Sequence, residues 1–321
     1  MYVRRLSWIA GVIFTLALTA PSIWAAEFEK YLPGDTEFVL HANIRQALDS
    51  PLGKKYLLPQ IQAHLKGQAE AQEILTALGL DPIKDLQSFT VAAPGNVSEK
   101  KWTALLRGTF DQAKIQTAAG DFAGKQGDIL KFSKQDGVTV YEFRDPKKDH
   151  SAFAAFVDKD LLLIASSKDQ VTASLAKKSA GTGSNLNQSL SALIKEGDGK
   201  ESLWFALVPD QVLNLLPQNN KQAMDIAKKV KSLKAGITLT DDVRLSLRVQ
   251  ATDDKAARDI RQTLDGIKAL LTLAITSNDQ LKDFGPTLTD ILNSIKFTLD
   301  KGTVGMDLNV SSKQIEEGLN K

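Results

Sequence analysis

Residues 32–44 read Leu-Pro-Gly-Asp-Thr-Glu-Phe-Val-Leu-His-Ala-Asn-Ile. Pro33, Gly34 and Asp35 supply turn chemistry. After the turn, Phe38, Leu40, Ala42 and Ile44 alternate with Glu37, His41 and Asn43, the period-two signature of a strand covered on one face. Working outward, the same grammar recurs. Phe89–Ala93 and Trp102–Phe110 read as a hairpin, as do 153–157 with 161–165 around Asp158-Lys159-Asp160. Residues 235–240 and 243–250 form a third hairpin around Asp241-Asp242. Strands joined by such short polar turns pair antiparallel.

Helices separate these strands. Ser50-Pro51 reads as a cap and first helical position, in a segment that Pro59 ends or kinks. A second helix spans about Gln68 to Leu78 and stops at Gly79. Asp111 and Asp253 are placed as caps of two more. Lys221, Lys228, Lys229, Lys231 and Lys234 read as the solvated face of a helix with the apolar stripe Ile226, Val230 and Leu233. The expected fold class is therefore α+β, with antiparallel sheets carrying helices on one face.

The order hairpin, helix, strand occurs twice, which points to two duplicated copies. Asp121-Phe122, Asp128-Ile129-Leu130, Lys131-Phe132 and Asp136-Gly137 resemble Asp283-Phe284, Asp290-Ile291-Leu292, Lys296-Phe297 and Asp300 with Gly302. Ser166-Ser167-Lys168 before Gln170-Val171 echoes Ser311-Ser312-Lys313 before Gln314-Ile315, and each serine pair offers a capping box with its glutamine. The expected organisation is a signal peptide at 1–25, a first α+β copy with an extra hairpin at 26–183, and a second copy at 184–321. Gly181 and Gly183, among Ser and Asn residues, make the linker between the copies.

The signal-peptide reading rests on Arg4 and Arg5, an apolar run from Trp8 to Ala20, Pro21, and small residues at Ala25 and Ala26 before Glu27. That run would form a helix of about 20 Å, short of the roughly 30 Å of a bilayer's hydrocarbon core. Cleavage after Ala25 and a periplasmic or secreted destination follow, with no transmembrane segment left in the mature chain. Removing residues 1–25 takes away two arginines and no acid, so 40 basic against 38 acidic residues becomes 38 against 38. A formally neutral chain gives no support for nucleic-acid partners. The absence of cysteine excludes disulfides, a lipidated N-terminal cysteine, thiolate ligands and cysteine nucleophiles.

Leu32-Pro33-Gly34-Asp35-Thr36, the strand after it, Asn43-Ile44-Arg45 and Leu48-Asp49-Ser50-Pro51-Leu52 resemble the opening of uncharacterised secreted bacterial proteins that carry a domain of unknown function. The resemblance covers 32–52 and implies an exported α+β protein without an assigned activity. It brings no functional residues with it.

Chemistry is sparse along the chain. His41, His64 and His150 are far apart, and none has a second histidine at helical ligand spacing. His41 shares the polar side of its strand with Glu37 and Asn43, where it faces solvent or a cleft. Gly-x-Ser-x-Gly is absent. Ser174 with Lys177, and Ser98 with Lys101, have Ser-x-x-Lys spacing without the accompanying elements. Asp241-Asp242 fits a hairpin turn and Asp253-Asp254 a helix start. Gly181-Thr182-Gly183-Ser184 lacks a Walker lysine. No cofactor or metal is implied.

One segment stands out. From Ala269 to Ser277 no residue is charged on any helical face, so Leu270, Leu271, Leu273 and Ile275 are either buried on several sides or line a binding groove. The functional expectation is an exported non-enzymatic envelope protein that binds a protein, lipid or polymer partner. The alternative is an envelope hydrolase with an unrecognised serine or carboxylate site.

Overall fold

The computed structural model describes residues 28–95, 100–125, 129–135, 137–145, 150–180, 185–196, 199–208, 221–278 and 284–319. The signal peptide, the Gly181–Ser184 linker, Asp128 and Asp283 lie outside the described residues. Twelve strands run along the chain: β1 (Thr36–Ala42), β2 (Leu86–Pro94), β3 (Thr103–Gly108), β4 (Leu130–Gln135), β5 (Val138–Asp145), β6 (His150–Asp158), β7 (Leu161–Ala165), β8 (Leu203–Leu207), β9 (Val230–Leu239), β10 (Val243–Ala251), β11 (Lys296–Asp300) and β12 (Thr303–Val310). They join one sheet in the order β11-β12-β10-β9-β8-β1-β2-β3-β7-β6-β5-β4, every neighbour antiparallel. The protein is α+β with an antiparallel sheet, as the turn and alternation pattern implied.

Eleven α-helices accompany the sheet among the described residues. They are α1 (Ile44–Asp49), α2 (Leu58–Lys66), α3 (Ala69–Leu78), α4 (Pro82–Asp85), α5 (Gln112–Lys125), α6 (Lys168–Ala180), α7 (Gln188–Lys195), α8 (Lys221–Ala227), α9 (Asp254–Ser277), α10 (Gly285–Asn293) and α11 (Ser312–Leu319). Their starts follow local chemistry. The Lys114 amide donates to Asp111 Oδ1 at 3.0 Å and the Ala256 amide to Asp253 Oδ1 at 2.8 Å, each carboxylate taking up an orphan donor of the first turn. The capping box of Ser311 with Gln314 forms in full, and Ser167 caps the Gln170 amide while its hydroxyl donates to the Gln170 side chain. Gly79 ends α3 at φ 65°, a left-handed conformation that costs glycine nothing.

The register fixes which side chains share a face, and the covered side changes along the sheet. Around β1 the covered face carries Val39 and His41, with Trp204 and Ala206 opposite on β8 and Thr90 and Ala92 on β2. It continues through Leu105, Leu163, Ala155 and Val140. Over it lie Phe28, Tyr31 and Leu32 of the N-terminal lead, Val171 and Leu175 of α6, and Leu190, Leu193 and Ile194 of α7, in one buried cluster. Beyond β8 that face turns polar. In β9, β10 and β12 the apolar residues, Leu233, Leu247, Val249 and Val304, point to the other side and pack against Ala256, Ala257, Ile260 and Leu264 of α9. At the far end α5 covers that same other side, with Ala119 packed beside Leu130, Tyr141 and Ala154.

Hydrogen bonding runs unbroken across residue 183, because β1 pairs with β8 from Phe38 opposite Leu207 to Ala42 opposite Leu203. Two readings of the sequence need correction. The lysine-rich segment is not one helix: α8 stops at Ala227 and Val230 already opens β9. Val230, Ser232, Leu233, Lys234, Ala235 and Ile237 fit strand spacing as well as helical spacing, and pairing with β8 and β10 decides it. The two Asp-Ile-Leu triplets also differ in setting, since Leu130 opens β4 whereas Asp290, Ile291 and Leu292 lie in α10.

Candidate functional site

His41 does not face solvent. Its ring stacks on Phe28 with centroids 5.4 Å apart and on Trp204 at 5.3 Å, and Nδ1 lies 2.8 Å from Thr90 Oγ1. Burial, and secondarily the Lys234 charge, depress its pKa from 6.5 to about 4. Val39, on the same side of β1, carried the missed signal: it is fully buried, so the face read as polar is an interior one. The histidine touches a hydroxyl rather than an acid, and Thr90 is only 2% exposed, so that hydroxyl is not presented to a substrate. General-base activation needs a nucleophile within reach of a reacting atom.

Ser174, Lys177 and Asp242 have structural work, and Ser98 lies outside the described residues. Ser174 Oγ donates to the Tyr31 carbonyl at 2.8 Å and Lys177 Nζ to the Leu32 carbonyl at 2.8 Å, so the Ser-x-x-Lys pair of α6 clamps the N-terminal lead. Asp242 takes hydrogen bonds from Asn309 Nδ2 and the Ser312 amide, which hold its carboxyl below the usual range. His64 is exposed on α2, and His150 opens β6 opposite Asp145. Among the described residues, no group of three or more His, Cys, Asp or Glu side chains could hold a metal ion.

The uncharged run of α9 is exposed. Up to Leu264 one stripe of the helix is anchored on the sheet. Past it, Leu270 is 68%, Leu273 63% and Leu271 47% exposed, beside exposed Ile267. Ile275 differs: it is partly buried and faces Gly285 at the start of α10. Three of the four sequence candidates therefore form an open apolar surface, while the fourth ties the helix to its neighbour. No helix among the described residues is long and apolar enough to cross a membrane.

On the opposite side of the sheet, sequence reasoning missed a cavity of about 790 Å³ over β9, β10, β12 and β11. The register builds its floor. Thr238, Arg244 and Asn309 stand side by side, then Gly236, Ser246, Asp307 and Lys296, then Lys234, Arg248, Gly305 and Thr298. Lys234 is only 6% exposed in its side chain, yet it is held: Nζ lies 2.9 Å from Glu201 Oε2 and 5.2 Å from the centroid of the Trp204 ring. Nη2 of Arg248 donates to both carboxylate oxygens of Asp307, at 2.8 and 3.0 Å, while Nη1 donates to the Leu247 and Met306 carbonyls. Gly236 makes room for the buried pair, since a Cβ there would sit 2.6 Å from Glu201 Oε1, while a Cβ on Gly305 would collide with Thr298 Oγ1 on β11. The legible signal was Arg244, Ser246 and Arg248 at alternate positions of a strand, a polar face with two cations on it.

No protein-family model matches the chain, and no curated protein matches it. Among solved structures, crystal form I of TP0453 is similar with a TM-score of 0.48 at 10% sequence identity, covering 91% of this chain and 96% of that one.

Proposed function

We propose that the chain is an exported, non-enzymatic binding protein of the bacterial envelope, matured by cleavage after Ala25, that holds an apolar partner on the C-terminal half of α9. One observation carries this reading: Leu270, Leu271 and Leu273 stand in solvent within a stretch that has no charge on any face. Burying a leucine is worth about 1.5–3 kcal/mol, so a cluster of exposed leucines is a reservoir of binding energy rather than a stabilising feature of the isolated fold. The N-terminal pattern of Arg4, Arg5 and the apolar run supports export, and the chain's neutrality after processing favours an apolar over an electrostatic contact.

The experiment places a photocrosslinking amino acid at position 270 of the protein in intact envelopes. Discrete adducts with one protein or lipid species are expected, and Leu273→Asp should abolish them while shifting the melting temperature little, because an exposed position can hydrate the new carboxylate. Labelling that yields no adduct, or adducts indifferent to Leu273→Asp, refutes the binding surface. The companion change Ile260→Asp, at a buried position of the same helix, should unfold the α9 end of the protein by burying an unpaired charge.

A further inference from the structure

We infer that the cavity over β9, β10, β12 and β11 binds an organic anion, through an oxyanion group (phosphate or carboxylate) held by Arg244 and Lys296. It lies on the face of the sheet opposite α9 and is independent of the proposed apolar surface.

The argument counts what each charged group on the floor already has. Every floor carboxylate is satisfied: Glu201 by Lys234, both oxygens of Asp307 by Nη2 of Arg248, and Asp242 by Asn309 and the Ser312 amide. The cations are not all satisfied. Lys234 and Arg248 are spoken for, but Arg244 and Lys296 line the same cavity and, among the described residues, form no ion pair, Arg244 acting on Asp242 only through its charge at longer range. The spare capacity of the floor is therefore cationic, and the formal charges of the whole lining cancel only once Glu196 at the end of α7 is counted. Beside these two cations, Ser246 adds a hydroxyl that can donate, whereas the Ser294 hydroxyl is engaged with the Ile291 and Asn309 carbonyls.

Glu196, at the end of α7, is the one lining acid without a partner. It also lines a smaller neighbouring cavity with Lys231, Ser232, Gln250 and Thr303, well along the strands from Arg244. Its charge disfavours a ligand that is anionic along its whole length and favours one with a single anionic end. The volume, about 790 Å³, falls within the range of small-molecule sites and exceeds what one inorganic anion fills. Arg248 and Lys234, locked by their acids, stiffen the floor without competing for the ligand.

The test titrates the mature chain with inorganic phosphate and, separately, citrate at constant ionic strength, following amide chemical shifts. Saturable shifts on β10 and β12 are expected with at least one of the two anions. Arg244→Gln with Lys296→Gln should weaken that binding at least tenfold, and Lys84→Gln, far from the cavity, should leave it unchanged. Response to phosphate alone assigns a phosphate ester and response to citrate alone a carboxylate, while response to both assigns a general oxyanion cradle. No saturable shift up to tens of millimolar, or an equal response in the double variant, overturns the assignment.

Discussion

Acidification through the range where free histidine titrates should loosen this protein, and His41 is the residue that does it. The imidazole sits between Phe28 and Trp204, bonded to Thr90 Oγ1, with the Lys234 ammonium on the next strand but one. Burial and then the lysine charge disfavour the imidazolium, so the folded pKa is about 4 against 6.5 when exposed. Between those values the unfolded chain binds a proton that the folded one refuses, so stability rises with pH there. His41 therefore costs nothing above pH 6.5. As pH falls from 6.5 to about 4 the fold loses stability at up to 1.36 kcal/mol per pH unit, at most about 3 kcal/mol in all, and below that the loss levels off. The lowered carboxyls of Asp81, Asp242 and Asp259 act in the same direction only at lower pH, as each is protonated through its depressed pKa. Urea denaturation at pH 7.5 and 4.5 measures the loss in the wild type and in His41→Phe with Thr90→Val, which removes the titrating ring and its hydroxyl partner together. The variant should lose about 2–3 kcal/mol less than the wild type between the two pH values. Equal losses would show that His41 is free to charge in the fold, and the enclosed stack would be wrong.

The buried pair at the seam gives a second expectation: Lys234→Met or Glu201→Gln alone should each cost about 3–5 kcal/mol, and the double change distinctly less than the two added, as read by thermal melts of all three. A double variant as unstable as the sum would mean the two groups are not coupled. At the start of α9, Asp253→Ala removes the acceptor for the Ala256 amide and should cost about 1 kcal/mol in urea denaturation, with Asp253→Asn recovering most of it.

What the sequence made legible was whatever local chemistry decides alone. Turns at Asp158-Lys159-Asp160 and Asp241-Asp242, caps at Asp111, Asp253, Ser167 and Ser311, and the stop at Gly79 need only a few neighbouring residues, and all stand as expected. Strand neighbours across the sheet were not legible. Nothing local says that β7 and β6 lie between β3 and β5, or that β1 pairs with β8. Those partners set which side of β1 is interior and so the fate of His41. The same gap hid the cavity, because Arg244, Lys296 and Asp307 come together only through the β10-β12-β11 pairing. Two-fold internal duplication stays a proposal of this work: β7 beside β3 leads into the Ser166-Ser167 cap as β12 beside β10 leads into the Ser311-Ser312 cap, but Leu130 and Leu292 fall in different kinds of element.

The change of covered side at β8 and β9 explains why the two candidate surfaces can coexist. Trp204 is the last large apolar side chain of the first core's face, and on the next strand that face continues as Gly236 and Lys234. Helix α7 contacts both β8 and β9 and ends the cover there. Past that line no apolar residue of β9 or β10 points to the α7 side, so among the described residues no helix is drawn over the polar floor. The apolar residues point the other way and draw in α9, but only along the first part of the helix. Leu233, Leu247, Val249 and Val304 are met by α9 as far as Leu264, and the helix then runs on with its leucines uncovered. An anion on the floor and an apolar partner on α9 would thus approach from opposite sides of one sheet, and neither would displace the other by contact.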